Sequence, residues 1–355
     1  MRLPKIPNPK FRRSINANLA YWQSAIKRDG SKEFFQNNAG NLAQALEFGL
    51  SSKNSFPGSV ELLIQLHPIV LETGKSGDWL RFYERATKAP YDFSKNPSLY
   101  SNLLNQLGSL YWQTGRNANS LIAFRKAYRI TTKHKLIHQQ VAASLGMCLS
   151  YWASREYEKA WQQADIAYQD WPSLAPDDPL KRSLLAALGT VAYALKEYTQ
   201  AEKYFRKALK HCAKKDEPEQ RHLKTALALC LYVNNEFERA LKQLAGAAIM
   251  IRGSPGNERE LLQIELLAAA VHYRMGNLDR ANEILKRVAN SQGFQAEDYV
   301  LRAFLESSLG RVQHGLGNSQ DAVAFLESAA ILWEREGNVV MLVDTLRLLG
   351  QIGFA

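Results

Sequence analysis

The chain has 355 residues, of which 46% are hydrophobic and 22% charged, and its formal net charge is +11. That composition supplies apolar material for a continuous core and excludes global disorder, while no apolar run approaches the ~20 residues that span a bilayer. Cys148, Cys212 and Cys230 are widely spaced and form no CxxC pair; this excludes a disulfide framework or a structural zinc and fits a reducing, cytoplasmic setting.

Residues 1–14 read as a flexible basic arm punctuated by prolines, without the apolar stretch of a secretory leader. Residues 15–56 predict a helical pair, with Leu19, Trp22 and Ile26 on the first helix and Phe34, Leu42, Leu46 and Leu50 on the second. Asp29-Gly30-Ser31 separates the two. Residues 57–341 then repeat a pattern about seven times, with units beginning near 63, 101, 141, 182, 221, 262 and 303. The first unit carries Gly77-Asp78-Trp79 at its expected turn, then Phe82, Ala86 and Ala89. The second has Leu104, Leu107-Gly108, Tyr111, Gly115, Phe124 and Ala127, and the third Met147-Cys148, Tyr151, Ala160, Ala164 and Ala167. Leu185, Leu188-Gly189, Ala201, Phe205 and Ala208 mark the fourth. Leu227-Ala228 with Ala240, Leu244 and Ala247 marks the fifth, and Gly276 with Ala281, Leu285 and Val288 the sixth. Leu309-Gly310, Gly317, Ala322, Leu326 and Ala329 mark the seventh. Residues 342–355 fit a first helix without its second, a half-repeat or capping helix.

Each element of the pattern has a physical reason. The glycine of the Leu-Gly step allows two helices to approach closely, the turn glycine accepts a left-handed backbone, and the small alanine admits the bulky side chain opposite. The spacing resembles the tetratricopeptide repeat. That resemblance implies an all-α fold, a right-handed superhelical solenoid of antiparallel helix pairs whose first helices line a concave groove. The long units, the stretch Phe34-Phe35-x-x-Asn38-x-x-Asn41-Leu42-x-x-Ala45-Leu46-Glu47 and the link Leu332–Asn338 are similar to the sensor arms of bacterial multidomain signalling regulators, such as the maltotriose-responsive transcription activators. The nucleotide-switch and helix-turn-helix modules of those regulators have no counterpart in these residues.

Catalytic and metal motifs fail on context. Thr73-Gly74-Lys75-Ser76 has Ile69 where a phosphate loop needs its first glycine, and reads as a turn between helices. His134 and His138 could share a helix face, but Lys133 and Lys135 beside them disfavour a cation and no third ligand is evident. Cys148 fills a small-residue slot in its unit. No nucleophile arrangement appears. The expectation is a chain without catalytic residues, metal or cofactor.

Placed in one frame, Trp112, Trp152, Tyr193, Tyr232, Tyr273 and His314 occupy the same first-helix position. Such a row either grips an extended peptide or amphipathic helix or packs between neighbouring first helices. Asn102 and Asn105 are further groove candidates, with Ser109, Ser183, His222, Thr225 and Arg311. The positions at which tetratricopeptide domains clamp a C-terminal carboxylate hold Asn105, Ser109, Gly146, Ser183 and Ala187, so that mode is not expected. Charge is uneven: residues 1–255 carry 36 Lys/Arg against 21 Asp/Glu, and residues 256–355 carry 9 against 13. From Phe93 through Arg155, counting Arg155 itself, there are eight Lys/Arg residues and no carboxylate. Arg125, Lys126, Arg129, Lys133 and Lys135 cluster there and suit either solvent or an acidic protein surface or phosphate backbone, assisted by Arg2, Lys5, Lys10, Arg12 and Arg13 of the arm. The leading expectation is a protein-binding scaffold, adaptor or sensor subunit of a bacterial signalling or defence assembly. A nucleic-acid-binding accessory subunit and a small-molecule-sensing domain are the alternatives.

Overall fold

The computed structural model describes residues 8–213, 216–251, 257–291 and 298–353. Among them are 17 α-helices and two short 3-10 turns, and no strand. The chain divides into two compact units, one ending at Leu195 and the other starting at Lys196. The first unit opens with α1 (Pro9–Arg28) and α2 (Lys32–Gly49). It continues with the pairs α3 (Phe56–Glu72) and α4 (Ser76–Lys88), α5 (Pro97–Gln113) and α6 (Asn117–His134), α7 (Ile137–Ala153) and α8 (Tyr157–Gln169), and ends on α9 (Pro179–Ala194). The second holds α10 (Tyr198–Lys210), the pairs α11 (Glu217–Val233) and α12 (Phe237–Ile251), α13 (Glu258–Arg274) and α14 (Leu278–Ala289), α15 (Tyr299–Gly315) and α16 (Ser319–Arg335), and the single helix α17 (Val339–Gly353).

Helix starts follow capping chemistry. The Ser31 hydroxyl accepts from the Phe34 amide, Asn96 from Leu99 and Asp298 from Leu301, each satisfying a backbone donor that the first turn leaves open. Pro9, Pro97 and Pro179 open α1, α5 and α9, where a missing amide hydrogen costs nothing. Because α1 begins at Pro9, residues 9–14 are its first turns rather than part of an arm; Arg2 and Lys5 lie outside the described residues.

Helix ends repeat one device. Gly74, Gly115, Arg155, Lys196, Asn235, Gly276 and Gly317 have positive φ and recur 39 to 41 residues apart. In the second repeat the Gly115 amide donates to the Trp112 carbonyl and the Arg116 amide to that of Tyr111, closing the helix with a left-handed cap. The same paired bonds recur after Trp152, Tyr232, Tyr273 and His314. The turn of the first repeat is at Gly74, inside the Thr73–Ser76 tract, and the Gly77-Asp78-Trp79 segment expected there is the first turn of α4.

Packing across helices uses the small residues as the sequence implies. The Phe124 ring lies between α5 and α7, where a Cβ on Gly108 would stand 2.8 Å from it and one on Gly146 only 2.2 Å away. Only a glycine surface lets the two first helices close on this ring, whose burial stabilises the pair by roughly 1.5–3 kcal/mol. Gly310 plays the corresponding part against Leu326, 2.5 Å from its would-be Cβ. Arg221 of α11 is buried and makes a bidentate pair with Glu260 of α13, at 3.1 and 3.0 Å, so even the buried charge in the second unit is compensated.

Candidate functional site

The end-of-helix cap places the aromatic row. Trp112, Trp152, Tyr193, Tyr232, Tyr273 and His314 are each the penultimate residue of their first helix. All six are half-buried, three in each unit. The carbonyls of Trp112, Trp152, Tyr232, Tyr273 and His314 each accept the amide of the left-handed turn residue, which fixes their backbone and so the station of their side chains. The row in the second unit is partly engaged by packing. Arg274 lies 5.4 Å over the Tyr232 ring while its Nη2 donates to the Asn235 side chain at 2.8 Å. Tyr273 packs on the cluster around Leu262 and Leu285, and the His314 Nδ1 is buried without a partner.

The asparagines divide. Asn102 is half-buried. Asn105 donates from Nδ2 to the Gln139 carbonyl at 3.0 Å, tying α5 to the first turn of α7. Gln139 in turn donates to the Ser98 hydroxyl. Asn105 therefore holds two first helices in register.

The first helices also form a recess of which the sequence reading named only Thr225. In the second unit α11, α13 and α15 enclose an open groove of about 380 Å³. Its floor and walls are Leu229, Leu266, Leu267, Ala270, Val300, Leu301 and Phe304, with Thr225, Gln263, Ser308 and Arg259 at the edge. Phe304 and Val300 remain 42% and 38% exposed, large values for side chains of that size in a recess. The Phe304 ring is held edge-on by Trp333 at 4.8 Å, and the Trp333 indole donates to Ser307 at 3.0 Å, so the exposed ring is pre-positioned. Arg259 hydrogen-bonds Asp298, which holds that carboxyl below the usual carboxylate range, and so the rim cation is anchored. A signal was present. Asn102, Asn105 and Ser109 occupy three frame positions, and carrying those positions into later units yields Gln263, Leu266, Ala270 and Phe304.

The basic cluster lies along α6 and its end, and its members make different contacts. The Arg125 guanidinium donates to the Tyr151 hydroxyl at 2.5 Å, while the Lys126 ammonium sits 5.0 Å over the Tyr100 ring. Arg129 and Lys133 are exposed and, with His134, face Tyr91, Phe93 and Tyr100 across an open cleft of about 520 Å³ that also contains Asp92. Lys135 is the left-handed residue that ends α6. Lys10, Arg12 and Arg13 fall on α1.

The two histidines considered as ligands cannot share a helix face, because α6 ends at His134, Lys135 reverses the chain, and His138 belongs to α7. His138 instead stands 3.4 Å from Asp178. Among the described residues no group of three or more candidate ligands assembles, and no helix is long and apolar enough to cross a membrane. Cys148 and Cys230 are buried, and that burial pushes each thiol up to about 12, far from the thiolate that nucleophilic or metal chemistry needs.

These helix pairs belong to a known class. Tetratricopeptide-repeat family models match residues 101–134, 145–217 and 187–258. The chain therefore carries tetratricopeptide repeats over those residues, and its fold is an all-α solenoid of that type. Among solved structures it is similar to a Signal Transduction ATPase with Numerous Domains (STAND) protein with a tetratricopeptide-repeat sensor, PH0952 from Pyrococcus horikoshii. That match has a TM-score of 0.62 at 16% identity and covers 94% of this chain and 52% of the other. A chain of the APC/C hetero-tetramer Cut9-Hcn1 matches with a TM-score of 0.59 at 13% identity, over 87% of this chain and 52% of that one. A tetratricopeptide-repeat protein from Parabacteroides merdae matches with a TM-score of 0.51 at 17% identity, over 81% and 98%. The chain thus spans about half the length of the first two. No curated protein sequence matches it.

Proposed function

We propose that this chain is a non-catalytic interaction scaffold or sensor subunit that seats an amphipathic helix or extended peptide of a partner protein on its first-helix face. The observation that carries the reading is the apolar groove across α11, α13 and α15, in which a braced Phe304 is left exposed beside an anchored Arg259. A groove with an apolar floor and a charged edge suits the buried face of a helix and an acidic residue flanking it. The half-buried rings at the row positions extend amphipathic surface along each unit. Repeats of this class serve generally as non-catalytic scaffolds, and the likeness to a STAND protein with a repeat sensor supports a place in a signalling or defence assembly. The three cysteines, none of them in a disulfide, accord with a reducing, cytoplasmic compartment.

The test compares wild type with Leu266→Asp and Phe304→Asp as baits in nuclease-treated lysate. The proposal expects a stoichiometric protein retained by wild type and lost from both variants. A protein retained equally by all three moves the site elsewhere. Capture abolished by nuclease favours nucleic acid bound through Arg129 and Lys133.

The volume of the groove also favours a second reading, since about 380 Å³ is the size of a pocket that encloses a small apolar molecule. A thermal-shift screen of apolar metabolites against wild type and Phe304→Asp separates the two. A hit that stabilises wild type alone selects the small-molecule reading.

A further inference from the structure

The cations of α6 leave an imbalance in the first unit. Arg125 and Lys126 are engaged by Tyr151 and Tyr100. The side chains of Arg129, Lys133 and His134 reach no carboxylate among the described residues. Arg129 and Lys133 stand one helical turn apart, a spacing at which like charges repel. Elsewhere in the same unit exposed cations are paired, Arg81 and Arg85 with Glu47, and Lys88 and Arg116 with Glu84. Basic residues in a last turn answer the carbonyl end of their helix, which accounts for Lys133 and His134 but not for Arg129, a turn further back.

These three side chains line the cleft of about 520 Å³ whose opposite wall is the link between α4 and α5. That wall is braced. Tyr91 stacks on Phe56 at 4.6 Å, while Phe93 stacks on Tyr100 at 4.1 Å and meets Tyr91 edge-on at 5.0 Å. The rings are turned to one another, and what the wall leaves unengaged is the hydroxyls of Tyr91 and Tyr100, which bond to no described residue. The carboxylate in the cleft, Asp92, is folded back on its own turn. It accepts from the Ser94 hydroxyl at 2.6 Å and the Ser94 amide at 3.0 Å, bonds that hold it below the usual carboxylate range. It therefore leaves the cations of α6 uncompensated. Helix α5 begins at Pro97 in the same cleft and brings the positive end of its dipole there.

We propose that this cleft binds a phosphorylated side chain of a partner protein. Arg129 and Lys133 supply two permanent positive charges, and His134, Tyr91 and Tyr100 supply further donors. That set matches the double charge and three acceptor oxygens of a phosphate monoester better than the single charge of a carboxylate. A nucleic-acid strand fits less well, because a basic cleft grips bases through free ring faces, and here the rings stack on each other. The occupant is a protein because repeats of this class bind protein partners. The inference shares only that premise with the proposed function and uses none of the residues of the apolar groove.

The test exposes the immobilised 355-residue chain to degenerate peptide pools with a fixed central phosphoserine, phosphothreonine or phosphotyrosine, beside the same pools after phosphatase treatment. The expectation is retention of at least one phosphorylated pool, with its dephosphorylated form held about tenfold less tightly or worse. Arg129→Glu and Lys133→Glu should each weaken binding of that pool by about tenfold or more, at an unchanged melting temperature because both positions are exposed. Lys242→Glu, the same charge change at an exposed position of α12, should leave binding intact and so exclude an effect of net charge alone. Leu266→Asp and Phe304→Asp should also leave it intact, which separates a failure of the groove from a failure of this cleft. No retention of any pool at about 100 µM overturns the proposal. Retention indifferent to phosphatase or to Arg129→Glu does the same, as does an oligodeoxythymidylate that binds through Arg129 and Lys133 where no peptide binds.

Discussion

Replacing Gly146 by alanine should destabilise the first unit, against the usual rule that alanine is the better helix former. An added Cβ would stand 2.2 Å from the Phe124 ring, where ordinary contact needs at least 3.4 Å. The ring must therefore retreat by roughly 1 Å in an interior packed like a crystal. Its retreat is blocked by α5, because the Gly108 side already stands 2.8 Å from the same ring by the same measure. Overpacking of this kind costs about 1–3 kcal/mol or more, and the helix-propensity gain of about 1 kcal/mol offsets part of it. The net expectation is a loss of about 1–2 kcal/mol. Gly40 supplies the control. It is exposed within α2 with nothing within 4 Å of its would-be Cβ, so Gly40→Ala should stabilise by about 0.5–1 kcal/mol. The assay is thermal and urea unfolding followed by circular dichroism. Amide exchange in α5–α7 localises the effect, since repeat arrays open piecewise. Combining Gly146→Ala with Phe124→Leu should recover part of the loss, a coupling that independent sites do not show. If Gly146→Ala proved as stabilising as Gly40→Ala, the argument that this glycine exists to admit Phe124 would be wrong.

Three further outcomes follow from the same structure. Glu260→Ala leaves the Arg221 guanidinium buried and unpaired and should destabilise the second unit by about 2–4 kcal/mol, while a double change of Arg221 and Glu260 to Met and Leu should recover most of it; equal loss in both would remove the ion-pair account. His67 is held down to about 4 by burial, so below the ordinary value of 6.5 the unfolded chain takes up a proton that the folded chain refuses. Stability should therefore fall as pH drops from about 6.5 to 4, by roughly 3 kcal/mol from this group, and His67→Gln should flatten that part of the urea-midpoint profile. Arg155 adopts φ 61 at a turn position where other repeats use glycine, so Arg155→Gly should stabilise by up to about 1 kcal/mol; a lower melting temperature would show that its side chain contributes more than the backbone strain costs.

The repeat was legible because its markers act locally. Gly115, Gly276 and Gly317 end helices through backbone geometry that any reader of the sequence can infer, and Leu107-Gly108 with Phe124 announces a close helix pair. The frame in turn located the row from Trp112 to His314, each at the same end of its helix. Where another residue type held the turn, as at Arg155, Lys196 and Asn235, the frame still carried through. In the first repeat the Thr73–Ser76 tract reads as a turn and is one, at Gly74, whereas Gly77-Asp78-Trp79, also assigned to the turn, lies in the first turn of α4.

By itself, then, the sequence determined the fold class, the number of helix pairs and which residues share a station along them, because helix period, caps and turn geometry are short-range properties. What only the tertiary structure decided was which stations open to solvent and which side chains meet across helices. Arg125 and Lys126, neighbours in the chain, reach Tyr151 and Tyr100 on different helices. His134 and His138 are parted by a helix end, and Leu229, Leu266 and Phe304, far apart in the sequence, share one groove. Accessibility and contact depend on how first helices stack across repeats about forty residues apart, and no local pattern encodes the gap that this stacking leaves between them.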